Sequence, residues 1–231
     1  MREPAPSARA LGFWSAVLAT VFSLMYVVAQ LAEWAGWLGS AGGPESSSTV
    51  LGIVVLLTPS LFLGPAFVVL SVAIHEIADA DRRVWSHAAV AFATAYLVLI
   101  GMNYYVQLTL VAPRMAADRL EGIEPFLFTP FDSFLYSVDI LGYSFMSVAT
   151  LFAARVFTGA GIERGVRILL TANGLLLPFL LLQIYFHWMI WIAALWAVTF
   201  PGATWALAKL FRRASSAPTP QPLPSQPAAS G

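Results

Sequence analysis

The chain has 231 residues, of which 59% are hydrophobic and 10% are charged, with a formal net charge of zero and a mean hydropathy of +0.77. Because about a quarter of the residues of a soluble domain are charged, this composition excludes an ordinary soluble protein and indicates a protein of the lipid bilayer. The absence of cysteine excludes a disulfide framework, a thiolate metal site and a cysteine nucleophile.

The first two predicted spans are separated by a Gly/Ser-rich loop. Residues 1–10 form a short polar N-terminus, and residues 11–35 form an apolar run. This run is longer than the roughly 7–15 apolar residues of a secretory signal, so it is predicted to be a transmembrane helix rather than a cleaved signal. A second span is predicted over residues 50–75, where Pro59 and Pro65 favour a kink because proline removes a backbone donor.

The third and fourth predicted spans flank the longest loop of the chain, residues 112–132. The third span covers residues 85–111, and its last turns carry amide side chains. The fourth span covers residues 133–157 and carries Asp139, the one carboxylate that lies well inside an apolar run. These two helices are expected to pair and to frame whatever site the protein has.

The last two spans come from one long apolar stretch, 168–208, which contains no Asp, Glu, Lys or Arg. As a single helix it would be roughly 60 Å long, twice the ~30 Å thickness of the hydrocarbon core, so the chain must turn back once. The polar and aromatic residues around His187 favour a turn there, which gives spans over residues 166–185 and 189–211. Residues 214–231 are rich in Pro, Ser and Ala and are predicted to be a disordered tail.

The predicted fold class is an all-α bundle of six transmembrane helices, because each apolar run is far longer than the roughly ten residues of a membrane-spanning strand. Ten of the twelve Lys and Arg residues fall on the side that carries both termini, and only Arg114 and Arg119 fall on the other side. Cytoplasmic loops carry the Lys/Arg excess, so both termini are predicted in the cytoplasm. The tryptophans fall mostly near the predicted interfaces, which is typical of an aromatic belt.

With this orientation, the strongest polar groups of four spans fall in one layer near the outer surface. The candidates for a ligand site or polar cavity are Glu33, Asn103, Gln107, Asp139 and His187. An ionised carboxylate costs about 2.5–3.5 kcal/mol at the centre of a membrane helix, so Asp139 is expected to face the bundle and to approach Asn103 or Gln107. These groups either form an outward-facing pocket that holds a ligand or relays protons, or only hydrogen-bond across helices and contact headgroup water.

A second polar cluster lies at the cytoplasmic ends of spans 2 and 3, where His75 and His87 flank Glu76, Asp79 and Asp81. The two histidines are weak candidates for metal ligands, or for haem ligands if both rings turn inward. Their spacing matches no sharp metal-binding pattern, and loop carboxylates beside arginines are usually solvated. The prediction is therefore no metal site and no cofactor.

The stretch from Asn103 to Arg167 resembles a loosely defined group of bacterial integral membrane proteins whose function is unassigned. The resemblance lies in the segment NYYVQLTLVAPRM, an acidic loop that contains Glu-Gly, the segment LGYSFMSVATLFAA and a following Gly-x-Glu-Arg. It implies a small multi-pass protein of the inner membrane and assigns no catalytic residue.

The favoured function is a non-enzymatic membrane protein that binds a small or lipophilic ligand, or a protein partner, through the outer polar layer. The alternative is a small proton- or ion-coupled secondary transporter. Kinked spans 2 and 5 would occupy corresponding positions in the two three-span halves of such a transporter, and a chain this short would have to form a homodimer. An intramembrane enzyme that uses Glu33, Asp139 and His187 is least favoured, because no catalytic or nucleotide-binding motif is present. The basic patches are too small for nucleic acid.

Overall fold

In a computed structural model, residues 5–214 of the chain are described; the first four residues and the predicted tail from residue 215 onward lie outside this part. Within it, six helical segments are long and apolar enough to cross a membrane, and no strand is present. The predicted all-α fold class with six spans is therefore confirmed. The spans, numbered in chain order, are Pro6–Trp34, Val50–Glu76, Ala80–Ala116, Phe134–Ala154, Ile162–Leu182 and His187–Arg213.

The six spans form a closed ring in sequence order. Each span packs against the next, and span 6 returns to pack against span 1. Because consecutive spans run antiparallel, the even number of spans places both described ends on one face, which we call the terminal face. The opposite face, the loop face, carries the connections at residues 35–49, 117–133 and 183–186. The contact between spans 1 and 6, which closes the ring, is called the seam.

Three spans are interrupted. The interruptions of spans 3 and 6 lie in the half of the ring nearer the loop face, and that of span 5 lies near the middle of the bundle, where Gly174 faces Ser147 and Leu151 of span 4. Span 3 changes from an α-helix to a π-helical turn at Gln107–Val111. Span 5 breaks between the helices Ile162–Gly174 and Leu177–Leu182. Span 6 breaks between the helices Ile190–Ala193 and Trp196–Ala214. The loop-face half therefore contains most of the irregular backbone of the bundle. The remaining helical pieces of these spans are Ala80–Arg82, Arg83–Val106, Ala112–Ala116 and His187–Met189.

The prolines explain only part of this irregularity. In span 5, Pro178 occupies the first turn of the second helix, where a missing N–H costs little, so the break precedes it. Pro113 lies two residues beyond the π-helical turn of span 3 and cannot donate a backbone hydrogen bond. Span 2, in contrast, continues as one helix through Pro59 and Pro65, where the sequence favoured a kink. Span 6 also continues through Pro201.

Along the seam, the half of the ring nearer the terminal face is filled by interlocking small and large side chains. Ala16 and Phe211 are both 0% exposed. Gly12 lies against the ring of Phe211, and a Cβ at position 12 would come within 2.7 Å of three ring atoms. Near the middle of the bundle, the hydroxyls of Thr20 and Thr204 lie 2.8 Å apart and link spans 1 and 6. Small residues let helices approach closely in lipid, so the seam is tightly closed in this half.

Candidate functional site

A cavity of about 670 Å³ occupies the loop-face half of the ring. All six spans contribute to its wall, and residues 46–48 and 127–130 of two loop-face connections cover it. The wall is mainly apolar and aromatic, and among the described residues that line it none is Lys, Arg or His. Its tyrosine, amide and carboxyl side chains are Tyr26, Gln30, Glu33, Tyr104, Gln107, Tyr136, Asp139, Tyr143 and Gln183.

Aromatic rings form the floor of the cavity near the middle of the bundle. The ring of Trp196 packs edge-on against Tyr26 and Tyr143, with centroid distances of 5.7 and 5.8 Å. Trp196 is buried, and its indole Nε1 donates a hydrogen bond to the sulfur of Met146 at 3.3 Å. Trp196 therefore does not belong to the aromatic belt expected of the tryptophans. Its stacking on Phe200, four residues later, is the helical spacing that points both rings inward.

Hydroxyl and amide groups link neighbouring spans around this floor. The hydroxyl of Tyr104 donates to the hydroxyl of Tyr143 at 3.2 Å, which connects spans 3 and 4. Ser60 of span 2 lies 3.5 Å from the same Tyr143 hydroxyl. The hydroxyl of Tyr136 donates to the side-chain carbonyl of Gln183 at 3.4 Å, which connects spans 4 and 5. Polar side chains thus hold the wall together where apolar packing is interrupted.

Asp139 faces the interior of the ring and lines the cavity. The side-chain amide of Asn103 donates to the backbone carbonyl of Leu135 at 3.0 Å and lies 3.5 Å from Oδ1 of Asp139. The expected approach of Asp139 to Asn103 across the pair of spans 3 and 4 is confirmed. Asn103 is fully buried behind Asp139 and is not part of the cavity wall.

Glu33 is the second carboxylate in the wall, and it is only 3% exposed. Neither of its carboxylate oxygens has a hydrogen-bond partner among the residues that the structure describes. The carboxylate lies against the first turn of span 2, where a Cβ at Gly52 would come within 2.7 Å of Oε2. Thr49 caps that helix by accepting a hydrogen bond from the Gly52 N–H at 3.1 Å.

Gln107 connects the wall of the cavity to its cover. Its side-chain amide nitrogen donates to the backbone carbonyl of Phe126 at 2.7 Å, which holds the connection between spans 3 and 4 above the cavity. Its side-chain oxygen is buried and has no hydrogen-bond partner in the described part of the chain. Gln107 also begins the π-helical turn of span 3, and such turns are frequent at functional sites.

His187 lies outside the cavity lining and joins two connections on the loop face. Its Nδ1 is 3.1 Å from Oε1 of Glu45, and its ring stacks on Phe131 with centroids 4.0 Å apart. The sequence placed His187 on top of span 5, one helical turn beyond Gln183. The helix of span 5 ends at Leu182 instead, and the chain turns before His187, so the side chain lies at the surface.

The cavity reaches the outer surface of the ring along the loop-face half of the seam. Three of its lining side chains are exposed there: Leu31 on span 1, and Trp191 and Val198 on span 6. The rings of Trp34 and Trp191 meet edge-on across the seam, with centroids 5.2 Å apart. In a bilayer this surface faces the lipid chains, so the opening connects the cavity with the membrane interior.

The histidines near the terminal face come together without forming a larger polar group. The rings of His75 and His87 lie 4.1 Å apart, and Nδ1 of His75 is 2.8 Å from the hydroxyl of Ser86. In the described part of the chain, no group of three or more His, Cys, Asp or Glu side chains is arranged to hold a metal ion. The two rings contact each other rather than pointing together into the bundle, an arrangement that does not fit two axial ligands of a haem.

The structure thus gathers three of the five candidate residues, Glu33, Gln107 and Asp139, in one cavity. Asn103 supports Asp139 from behind, and His187 belongs to the cover. No family model, no curated protein and no solved structure matches the chain. The cavity and its side chains are therefore the features from which a function is inferred.

Proposed function

We propose that this multi-pass membrane protein lies in the inner membrane and binds one small, lipophilic ligand in its loop-face cavity. The observation that carries the proposal is the cavity itself, because it is built from all six spans and its wall holds Glu33 and Asp139, the two buried carboxylates of the described residues. A volume of about 670 Å³ lies within the range of roughly 300–1,000 Å³ that is usual for small-molecule sites. An apolar wall with a few placed polar groups is also typical of such sites.

The charge distribution supports an orientation with the cavity in the outer half of the membrane. Of the eleven basic residues in the described part, nine lie toward the terminal face, and Arg114 and Arg119 lie toward the loop face. Since cytoplasmic segments carry the Lys/Arg excess, the terminal face would be cytoplasmic. A ligand would then enter from the outer leaflet, through the opening between spans 1 and 6.

A secondary transporter is the second candidate, and the interrupted helices of spans 5 and 6 beside the cavity favour it. The filled terminal-face half favours binding instead, because transport requires the cavity to open toward that face as well. Phe67, Phe157 and Phe211 are almost fully buried there. A proton-flux assay in liposomes separates the two candidates: ligand-dependent flux would support transport, and its absence alongside tight binding would support a binding protein.

A bulky substitution in the cavity wall tests the proposal directly. Ala193 is buried and lines the cavity, so Ala193→Phe should occupy part of the ligand volume. Ala91 of span 3 is exposed to lipid, and Ala91→Phe adds the same ring outside the cavity as a matched control. Each protein would be purified from membranes, extracted with organic solvent and analysed by mass spectrometry for small compounds bound in stoichiometric amounts.

The wild-type protein and Ala91→Phe are expected to carry the same compound, and Ala193→Phe is expected to lose it while remaining folded. Equal amounts of the compound in all three proteins would place it outside the cavity. The complete absence of a stoichiometric compound from the wild-type protein would also count against the proposal.

A further inference from the structure

We infer that the ligand is a lipophilic amine, an apolar molecule whose head group is a protonated primary amine bound by Glu33. This inference rests on the proposed function, because it names the chemistry of a ligand in the same cavity. The observation that carries it is the Glu33 side chain, which is buried in the cavity wall with both carboxylate oxygens unpartnered.

A buried carboxylate without partners is unfavourable, because it has lost its hydration and gained no hydrogen bonds or counter-ion in exchange. The helix N-terminus of span 2 supplies only a partial positive charge to Glu33. The Gly52 N–H near it donates to Thr49 rather than to the carboxylate. A ligand cation that carries N–H donors would provide both the charge and the hydrogen bonds that the wall lacks.

The charge of the cavity selects the same class of ligand. Its wall contains two carboxylates, Glu33 and Asp139, and no basic side chain among the described lining residues. Arg114 lies near the end of span 3 but is not part of the wall. His187 is held outside the cavity by Glu45 and Phe131. An anionic ligand would find no basic side chain in this wall, and a neutral ligand would leave the unpartnered Glu33 carboxylate without a counter-charge.

The remaining wall suits the rest of such a molecule. The side-chain oxygen of Gln107 is a further buried acceptor without a partner, and an ammonium group offers three donors. The aromatic floor formed by Tyr26, Tyr143 and Trp196 provides surface for the apolar body of the ligand. The seam opening beside Leu31 and Val198 lets an alkyl chain remain in contact with lipid.

The test compares three single-chain probes that differ in their head groups: dodecylamine, dodecanol and dodecanoate. The full-length protein would be placed in nanodiscs of zwitterionic phosphatidylcholine, so that lipid charge does not concentrate any probe. Tryptophan fluorescence of the protein would report binding, and Ala193→Phe in the same nanodiscs would correct for partitioning into lipid. Binding of dodecylamine is expected to be about 30-fold or more tighter than binding of either other probe, since it alone pairs with a buried carboxylate.

Two variants locate the head group. Glu33→Gln keeps the shape of the side chain and removes its charge, so it should abolish the preference for dodecylamine over dodecanol. Glu76→Gln is the matched control, because Glu76 is exposed near the terminal face, away from the cavity. It should leave all three affinities unchanged. Asp139→Asn provides a second cavity variant, which should reduce dodecylamine affinity less than Glu33→Gln because Asp139 already contacts Asn103.

The outcomes separate this inference from the function on which it rests. Equal or tighter binding of dodecanol or dodecanoate, blocked by Ala193→Phe, would overturn the amine inference while a ligand-binding cavity stands. An unchanged dodecylamine preference in Glu33→Gln would overturn it as well. If no probe binds and no compound co-purifies, the ligand-binding function itself fails together with the inference.

Discussion

The same two spans meet in different ways in the two halves of the ring. Near the middle and toward the terminal face, spans 1 and 6 are in close contact, and the hydroxyls of Thr20 and Thr204 join them at 2.8 Å. Toward the loop face, the large rings of Trp34 and Trp191 meet edge-on across the seam, with centroids 5.2 Å apart. The comparison shows that the size of the seam residues decides where the bundle is solid and where it is hollow. Small residues close the seam, and an aromatic pair leaves it open.

The backbone follows the same division. The filled half consists mostly of regular helices, whereas the interruptions of spans 3 and 6 lie in the hollow half and that of span 5 lies near the middle of the bundle. Irregular backbone at membrane depth is tolerated only where it is buried in protein or lines a cavity. The hollow half therefore depends on polar links between spans, such as the contact of Tyr104 with Tyr143, in place of dense apolar packing.

The largest difference between the halves is expected from an added ring. Ala16→Phe forces a phenyl group into a position with 0% exposure, and overpacking should lower the free energy of unfolding by about 3 kcal/mol or more. Ala193→Phe adds the same ring to the cavity wall, where space exists, and should change it by less than about 1 kcal/mol. Thermal unfolding of the purified proteins in one detergent measures both. Similar losses in the two variants would contradict the distinction between a filled and a hollow half.

A smaller effect is expected from the polar links of the hollow half. Asp139→Leu leaves the Asn103 amide without one of its buried acceptors and should destabilise the protein by about 1–3 kcal/mol. Asp139→Asn retains an acceptor of the same shape and should be nearly neutral. The same unfolding assay compares the two variants with the wild-type protein. If Asp139→Asn costs as much as Asp139→Leu, the carboxylate charge rather than the hydrogen bond supports the wall.

The smallest effect on stability is expected from two cysteine variants that test which face of the bundle lies on the outer side of the membrane. Ala117 and Ala160 are both exposed, the first toward the loop face and the second toward the terminal face. Because the chain has no native cysteine, each variant carries a single thiol. Ala117→Cys should react with an impermeant maleimide on intact cells, and Ala160→Cys only after permeabilisation. The opposite labelling pattern would reverse the orientation and place the cavity in the cytoplasmic half.

The sequence predicted the six spans and the polar layer near the loop face, but not which half of the ring is hollow. Run length alone indicates six helices, because a membrane fixes how many apolar residues a span requires. The depth of Asp139 and Asn103 on paired spans predicted their contact, since both positions follow from helical rise and orientation. The depths of Glu33 and Gln107 along their spans likewise predicted that they lie in the same layer as Asp139 and Asn103.

What the sequence left open depends on packing between distant segments. In the sequence, Trp196 cannot be told apart from the tryptophans of an aromatic belt. Its inward stacking on Phe200 distinguishes it from exposed tryptophans such as Trp205. The position of His187 depends on where span 5 ends, and hairpin geometry is not encoded in apolar run length. Whether a polar layer is filled or hollow depends on side chains from all six spans together, which no single run reveals.

The reactivity of two buried positions on one helix shows whether the bundle is hollow toward the loop face and filled below the cavity. Leu56 and Leu63 of span 2 are 6% and 0% exposed, and their spacing places them on the same helical face. Only Leu56 lines the cavity.

Single-cysteine variants Leu56→Cys and Leu63→Cys would be treated with the small permeant reagent N-ethylmaleimide in native membranes, and modification would be followed by mass spectrometry. A hollow loop-face half predicts rapid modification of Leu56→Cys that dodecylamine slows, and no modification of folded Leu63→Cys. Equal rates at the two positions, or no reaction at either, would contradict it.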